Sequence, residues 1–63
     1  MGTKLKTLYD FVIQNGGMQE RMRVAMKSGI SSSKAPDLPD TPENISKLKA
    51  AIKEVMGKNP PNV

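Results

Sequence analysis

The sequence predicts a small all-α domain built from three short helices. Three segments repeat apolar residues at the spacing of an α-helix, and each stops at a glycine, Gly16, Gly29 or Gly57. A connector with two prolines and three consecutive serines separates the second segment from the third. We therefore expect a single domain over residues 1–57, made of a helix–glycine–helix hairpin, a proline-rich connector and a third helix. Residues 58–63 are expected to form a flexible, disordered tail.

The first helix is predicted over residues 4–15. Phe11 and Ile13 widen its apolar face to about half of the helix surface, which is typical of a helix that packs on two neighbours. Thr3 is a suitable N-cap, and Gly16 can end the helix in the left-handed conformation. The apolar residues that recur at i, i+3, i+4 and i+7 are Leu5, Leu8, Tyr9 and Val12.

The second helix is predicted over residues 18–28. Met18, Met22 and Met26 recur at i, i+4 and i+8 and form one stripe along it. Gly29 follows as the expected left-handed C-cap. The stripe indicates either core packing or an apolar surface for a partner.

A β-hairpin is the alternative for the first half of the chain. Asn15-Gly16 is a common hairpin turn and would join strands over residues 8–14 and 18–24. The second of these segments is poor in β-formers, and the first does not alternate cleanly between apolar and polar residues. Helical propensity therefore favours two helices over two strands.

The third helix, over residues 42–56, has the clearest boundaries. Asp40 or Thr41 is the expected N-cap, Pro42 the first helical residue and Gly57 the C-cap. Its apolar residues share one side of the helix: Ile45, Leu48, Ile52, Val55 and Met56.

The composition limits both stability and chemistry. The chain has 63 residues with no Cys and no His, and Tyr9 and Phe11 are its only aromatic residues. A domain of this size buries only about 60% of its unfolded surface, so support from a partner chain is expected. Aliphatic and methionine side chains must form most of the core. The candidates are Leu5, Leu8, Val12, Ile13, Met22, Val24, Ile30, Ile45, Leu48, Ile52, Val55 and Met56.

Catalysis is not expected. Without His or Cys, acid–base chemistry would fall to carboxylates, lysines or Tyr9. The carboxylates of Asp37, Asp40 and Glu43 lie within seven residues, but helix capping and loop solubility explain them. No pattern of metal ligands is present, so we expect neither a metal nor a cofactor.

The preferred function is a non-catalytic protein–protein interaction module. Methionine side chains adapt to the shape of an apolar partner, and the rest of the core is small. We therefore expect Phe11, Met18, Met22 and Met26 to contact a protein partner or a second copy of the chain.

Nucleic-acid binding is the alternative. The net charge is +4, and the basic excess lies in residues 1–35, which carry six basic and two acidic side chains. The segment Ala25-Met26-Lys27-Ser28-Gly29-Ile30-Ser31 resembles the centre of a helix-turn-helix of the bacterial repressor type, with a small residue, a glycine four residues later, an aliphatic residue and a serine. The resemblance implies a recognition helix after the turn, whereas Pro36 leaves room for one helical turn. The candidate contacts with phosphate groups are Arg21, Arg23, Lys27 and Lys34.

The sequence contains no candidate membrane span. Its longest strictly apolar run is residues 11–13, whereas a transmembrane helix needs about 20 residues. Asp10 interrupts the apolar residues that follow Lys4 and Lys6, which argues against a signal peptide. A cytoplasmic location is the resulting expectation.

Overall fold

A computed structural model describes residues 3–63. Within this range the chain forms three α-helices, a single-turn 3-10 helix and no β-strand, so the all-helical prediction is confirmed and the hairpin alternative is wrong. The helices are α1 over Thr3–Asn15, α2 over Met18–Ser28 and α3 over Pro42–Met56, and the 3-10 helix is Ala35–Asp37. Helix α3 packs against both α1 and α2, and the 3-10 helix packs against α1.

A close approach, rather than a left-handed backbone, explains the glycine that follows α1. Among residues 3–63 only Gly29 and Gly57 have a positive φ, so the left-handed ending predicted at Gly16 is wrong. A methyl group on Gly16 would lie 3.0 Å from Glu20 Cβ and 3.1 Å from Met56 Cε. Gly16 therefore lets the turn between α1 and α2 pass close to the end of α3.

The other two helices end in left-handed glycines. Gly29 has a φ of 74°, and its N–H donates to the carbonyl of Ala25 at 2.9 Å. Gly57 has a φ of 67°, and its N–H donates to the carbonyl of Lys53 at 2.9 Å. Glycine adopts this conformation without the steric cost that a Cβ imposes.

The connector is anchored on the core by its two apolar residues. Ala35 is completely buried and Leu38 packs against the core from a partly buried position. The N–H of Ala35 donates to the carbonyl of Ser31 at 2.9 Å and closes the turn before the 3-10 helix, in which the N–H of Asp37 donates to the carbonyl of Lys34 at 2.9 Å. Pro36 occupies its second position, where the missing N–H is tolerated.

Two different side chains cap α1 and α3. Thr41 Oγ1 accepts a hydrogen bond from the N–H of Asn44 at 3.1 Å and caps α3. Asp40 instead turns to α1, where its carboxylate accepts from the N–H groups of Lys4 at 3.1 Å and Leu5 at 3.3 Å. Thr3 lies within α1, so the prediction that it caps this helix is wrong, and Asp40 supplies the cap instead.

The core is aliphatic, with one tyrosine. Ile13 and Met22, which the sequence predicts to be core residues, are instead 50% and 58% exposed. Two alanines that sequence reasoning left out, Ala35 and Ala51, are buried. The buried residues are Leu5, Leu8, Tyr9, Val12, Val24, Ile30, Ala35, Leu48, Ala51 and Ile52.

Residues 58–63 have no regular secondary structure. Val63 packs against the core from a partly buried position, and Lys49 Nζ donates to its carbonyl at 3.2 Å. The flexibility of this segment stays a prediction. None of the helices in residues 3–63 combines the length and the apolar character that crossing a bilayer requires.

Candidate interaction surface

Three of the four large apolar residues that are exposed in residues 3–63 lie along one side of α2. Met18, Met22 and Met26 are 68%, 58% and 83% exposed, so the stripe lies outside the core. Ile13 of α1 is the fourth large apolar residue that is exposed in residues 3–63. We call the surface formed by Ile13, Met18, Met22 and Met26 the methionine face.

The orientation of α2 follows from a single buried residue. Val24 is completely buried, and it is the only residue of α2 in the core. Residues two positions apart differ by about 200° around a helix axis, so Met22 and Met26 both point away from the side that Val24 buries. Helix α2 therefore buries the side that carries Val24 and exposes its methionines.

Ile13 extends this surface onto α1. A shallow cleft of about 240 Å³ is lined by Ile13, Gly16, Gly17, Met18 and Arg21. Gly17 adds no side chain to this cleft, and Ile13 is 50% exposed beside it. The cleft joins the two apolar residues at one end of the methionine face.

Phe11 lies elsewhere. It is partly buried and packs against the core. Because Phe11 and Ile13 are two positions apart on α1, they lie on opposite flanks of that helix. Of the four residues that the sequence assigns to the interface, the three methionines thus share one surface, Phe11 does not, and Ile13 takes its place.

Two arginines flank the methionine face. Arg21 and Arg23 immediately precede and follow Met22, which places them about 100° to either side of it. Neither forms a salt bridge with the carboxylates of residues 3–63. The carboxylate of Glu20, on the same helix, instead accepts from the N–H of Gly17 at 3.1 Å.

The other two basic candidates have different surroundings. Lys27 Nζ lies 2.7 Å from Glu54 Oε1 and links α2 to α3. Lys34 is exposed at the start of the 3-10 helix, in the connector. The four candidate phosphate contacts are thus Arg21 and Arg23 beside the methionines, one paired lysine and one lysine in a loop.

The segment that resembles a helix-turn-helix lacks a second helix. After Ile30 the chain forms a turn and the three-residue 3-10 helix, and the next α-helix begins only at Pro42. A recognition helix at this point, which the resemblance implies, is therefore absent from the described structure.

Arg21 also lies close to the one buried hydroxyl group of the core. Tyr9 donates a hydrogen bond to the carbonyl of Ile30. Burial raises the pKa of Tyr9, and a hydrogen bond with Ser28 and the positive charge of Arg21 partly oppose the increase. This buried hydroxyl holds the end of α2 against α1 and does not reach the surface.

The three carboxylates of the connector region do not converge. Asp40 caps α1, and Glu43 forms a 3.8 Å ion pair with Lys47 one turn later in α3. Within residues 3–63, no group of three or more potential ligand side chains is arranged to hold a metal ion.

Comparison with known proteins gives no assignment. Neither the known protein families, nor the characterised proteins, nor the solved structures contain a match to this chain. The function has to be inferred from the chemistry of the surface itself.

Proposed function

We propose that the protein is a non-catalytic interaction module that binds a protein partner, or a second copy of itself, through the methionine face. The exposure of Met18, Met22 and Met26 on one side of α2 carries this proposal. Single exposed apolar residues are ordinary on a protein surface, whereas a contiguous group marks a contact site.

The chemistry of methionine supports an interface. Its side chain is unbranched and polarizable, so it adapts to the shape of an apolar partner. The exposed positions also contribute little to the core of this domain, in which Val24 is the one fully buried residue of α2. Three large apolar side chains exposed along one side of a helix are typical of a surface that a partner covers.

Photo-crosslinking tests the proposal directly. Photo-methionine, incorporated in place of methionine in cells that make the protein, forms covalent bonds with whatever touches the side chain. We expect crosslinks from Met18, Met22 and Met26 to one protein partner or to a second copy, mapped by mass spectrometry. Met56 is the internal reference, because it is partly buried against the core.

A triple variant provides the matched control. Met18→Gln, Met22→Gln and Met26→Gln together should abolish the complex while the domain stays folded, whereas Ala50→Gln on the exposed side of α3 should leave the complex intact. Crosslinks only from Met56, or a complex that survives the triple change, would contradict the proposal.

Nucleic-acid binding through Arg21, Arg23, Lys27 and Lys34 is the second candidate and has less support. Lys27 is paired with Glu54, and a 3-10 turn stands where a recognition helix is needed. Phosphate contacts would also leave the methionines uncovered. A salt titration with random duplex DNA tests it: absence of affinity at low ionic strength removes this candidate.

A further inference from the structure

The charges beside the methionine face identify the chemistry of its partner. Arg21 and Arg23 lie on opposite sides of Met22 around α2, and neither forms a salt bridge with a carboxylate within residues 3–63. The acidic side chain of α2 and the one that α3 pairs with this helix are both engaged, Glu20 with the N–H of Gly17 and Glu54 with Lys27. The face is therefore an apolar strip between two positive charges.

A second copy of the chain does not complement this arrangement. Pairing two methionine faces would bring two arginines from each copy together and would supply no unengaged carboxylate beside them. Like charges that meet at an interface weaken it. A partner with carboxylates at the same positions would instead form ion pairs with both arginines.

Neither a lipid surface nor a nucleic acid matches both the methionines and the two arginines of the face. Helices that lie in membrane interfaces carry Trp, Phe or Leu on the apolar side and several Lys or Arg residues opposite, whereas α2 has methionines and two flanking arginines. Nucleic-acid phosphates would pair with the arginines but would not bury the methionines. An amphipathic polypeptide helix satisfies both halves.

The cleft between α1 and α2 defines where such a helix is anchored. Its volume of about 240 Å³ has space for one large apolar side chain between Ile13 and Met18. Arg21 also lines the cleft, so a carboxylate one helical turn from the anchoring side chain would reach the guanidinium.

We propose that the methionine face binds an acidic amphipathic helix of another protein, with an apolar side chain of that helix in the cleft and its carboxylates on Arg21 and Arg23. This inference rests on the proposed interaction function. It adds the sign of the partner's charge, its secondary structure and the position of its anchor.

A pair of synthetic helical peptides tests the charge. Both have about 18 residues, enough for appreciable helicity, and an identical leucine stripe; one carries Glu on both flanks and the other carries Lys. Binding to the full chain is followed by NMR of the methionine methyl groups. We expect the Glu peptide to shift the signals of Met18, Met22 and Met26, to leave Met56 in place, and to bind about tenfold more tightly than the Lys peptide.

Charge reversal provides the second arm. Arg23→Glu should remove most of this preference, and Arg21→Glu with Arg23→Glu should invert it. Arg21 lies near the buried Tyr9, so its replacement could also affect the core. Arg23 is exposed, so the single variant Arg23→Glu tests the charge without a change in the core. Its thermal midpoint should match that of the wild type.

The possible outcomes distinguish the proposed acidic helix from the more general proposal that the protein is an interaction module. Equal binding of both peptides with shifts at the three methionines would overturn the acidic partner and leave the interaction module standing. Concentration-dependent shifts without peptide would assign the face to a second copy, and shifts only with vesicles of phosphatidylserine would assign it to a membrane; each overturns the inference. Peptide binding without any methionine shift would overturn both proposals.

Discussion

The carboxylate of Asp40 caps the first helix by accepting a hydrogen bond at 3.1 Å from the N–H of Lys4, which lies 36 residues earlier in the chain. The N–H of Leu5 donates to the other carboxylate oxygen at 3.3 Å. Both N–H groups belong to the first turn of α1, where no carbonyl of the helix is available to them. Asp40 also supplies a negative charge at the positive end of the helix dipole. The connector therefore fixes the start of α1 as well as joining α2 to α3.

Removing this cap should destabilise the domain. We expect Asp40→Ala to lower the free energy of unfolding by about 1 kcal/mol, the usual value of an N-cap. Urea denaturation followed by circular dichroism measures the change. The control is Asp37→Ala, because Asp37 is exposed and its side chain forms no hydrogen bond in the described structure. Equal effects of the two variants would show that Asp40 does not cap α1.

The two adjacent glycines between α1 and α2 should respond differently to alanine. A methyl group on Gly16 meets Glu20 Cβ at 3.0 Å, whereas on Gly17 the nearest atom is Glu20 Oε1 at 3.7 Å. Overpacking costs roughly 1–3 kcal/mol, whereas the lower entropy of the unfolded chain stabilises both alanine variants alike. Gly16→Ala should therefore be less stable than Gly17→Ala by roughly 1–3 kcal/mol in thermal unfolding. The reverse order would contradict the close approach of the turn to α3.

Local signals in the sequence predict the helices well, because each boundary depends on a few neighbouring residues. Thr41 and Pro42 begin α3, and Gly57 follows its last residue, all within one turn of the positions they define. The apolar repeat of α1 points inward for the same reason: Leu5, Leu8, Tyr9 and Val12 are all buried.

The sequence does not predict which side of α2 faces the core. The methionine stripe is the most regular apolar pattern of that helix, yet the domain buries Val24 instead. Periodicity identifies an apolar side but not what covers it, since that depends on where α1 and α3 lie. The sequence also does not predict that Asp40 caps α1, because its partner Lys4 is 36 residues away and only the fold brings the two together.

The stability of variants at Met22 distinguishes an exposed methionine stripe from one that packs in the core. Met22→Gln should change the free energy of unfolding by less than about 0.5 kcal/mol, as expected of a surface position. Ile52→Val removes one methylene group from a fully buried residue of α3 and should cost about 0.5–1.5 kcal/mol. Denaturant midpoints compare the two. A larger loss from Met22→Gln than from Ile52→Val would place the stripe in the core.

The charge of Arg21 should be detectable at Tyr9. Burial raises the pKa of the Tyr9 hydroxyl, and the guanidinium of Arg21 favours the phenolate and lowers it. Replacing the charge in Arg21→Gln should therefore raise the pKa of Tyr9 further. Tyr9 is the only tyrosine and the chain has no tryptophan, so ultraviolet absorbance reports this titration alone. Arg23→Gln, outside the surroundings of Tyr9, should leave the titration unchanged, and equal effects of both variants would contradict the position of Arg21.

The same hydroxyl should make the domain less stable in alkaline solution. The pKa of Tyr9 is raised above its ordinary value of about 10, which it keeps in the unfolded chain. Above that pH the unfolded chain releases the proton first, so the free energy of unfolding falls as the pH rises towards the folded pKa. The contribution of the hydroxyl to stability is complete below about pH 10.

The variant Tyr9→Phe tests this dependence. At neutral pH its free energy of unfolding should be lower by about 0.5–1.5 kcal/mol, because the hydrogen bond to Ile30 is lost. The free energies of unfolding of the wild type and Tyr9→Phe should therefore converge as the pH rises above about 10, which urea titrations at several pH values measure. Parallel curves across that range would mean that Tyr9 ionises equally well in the folded and unfolded chains.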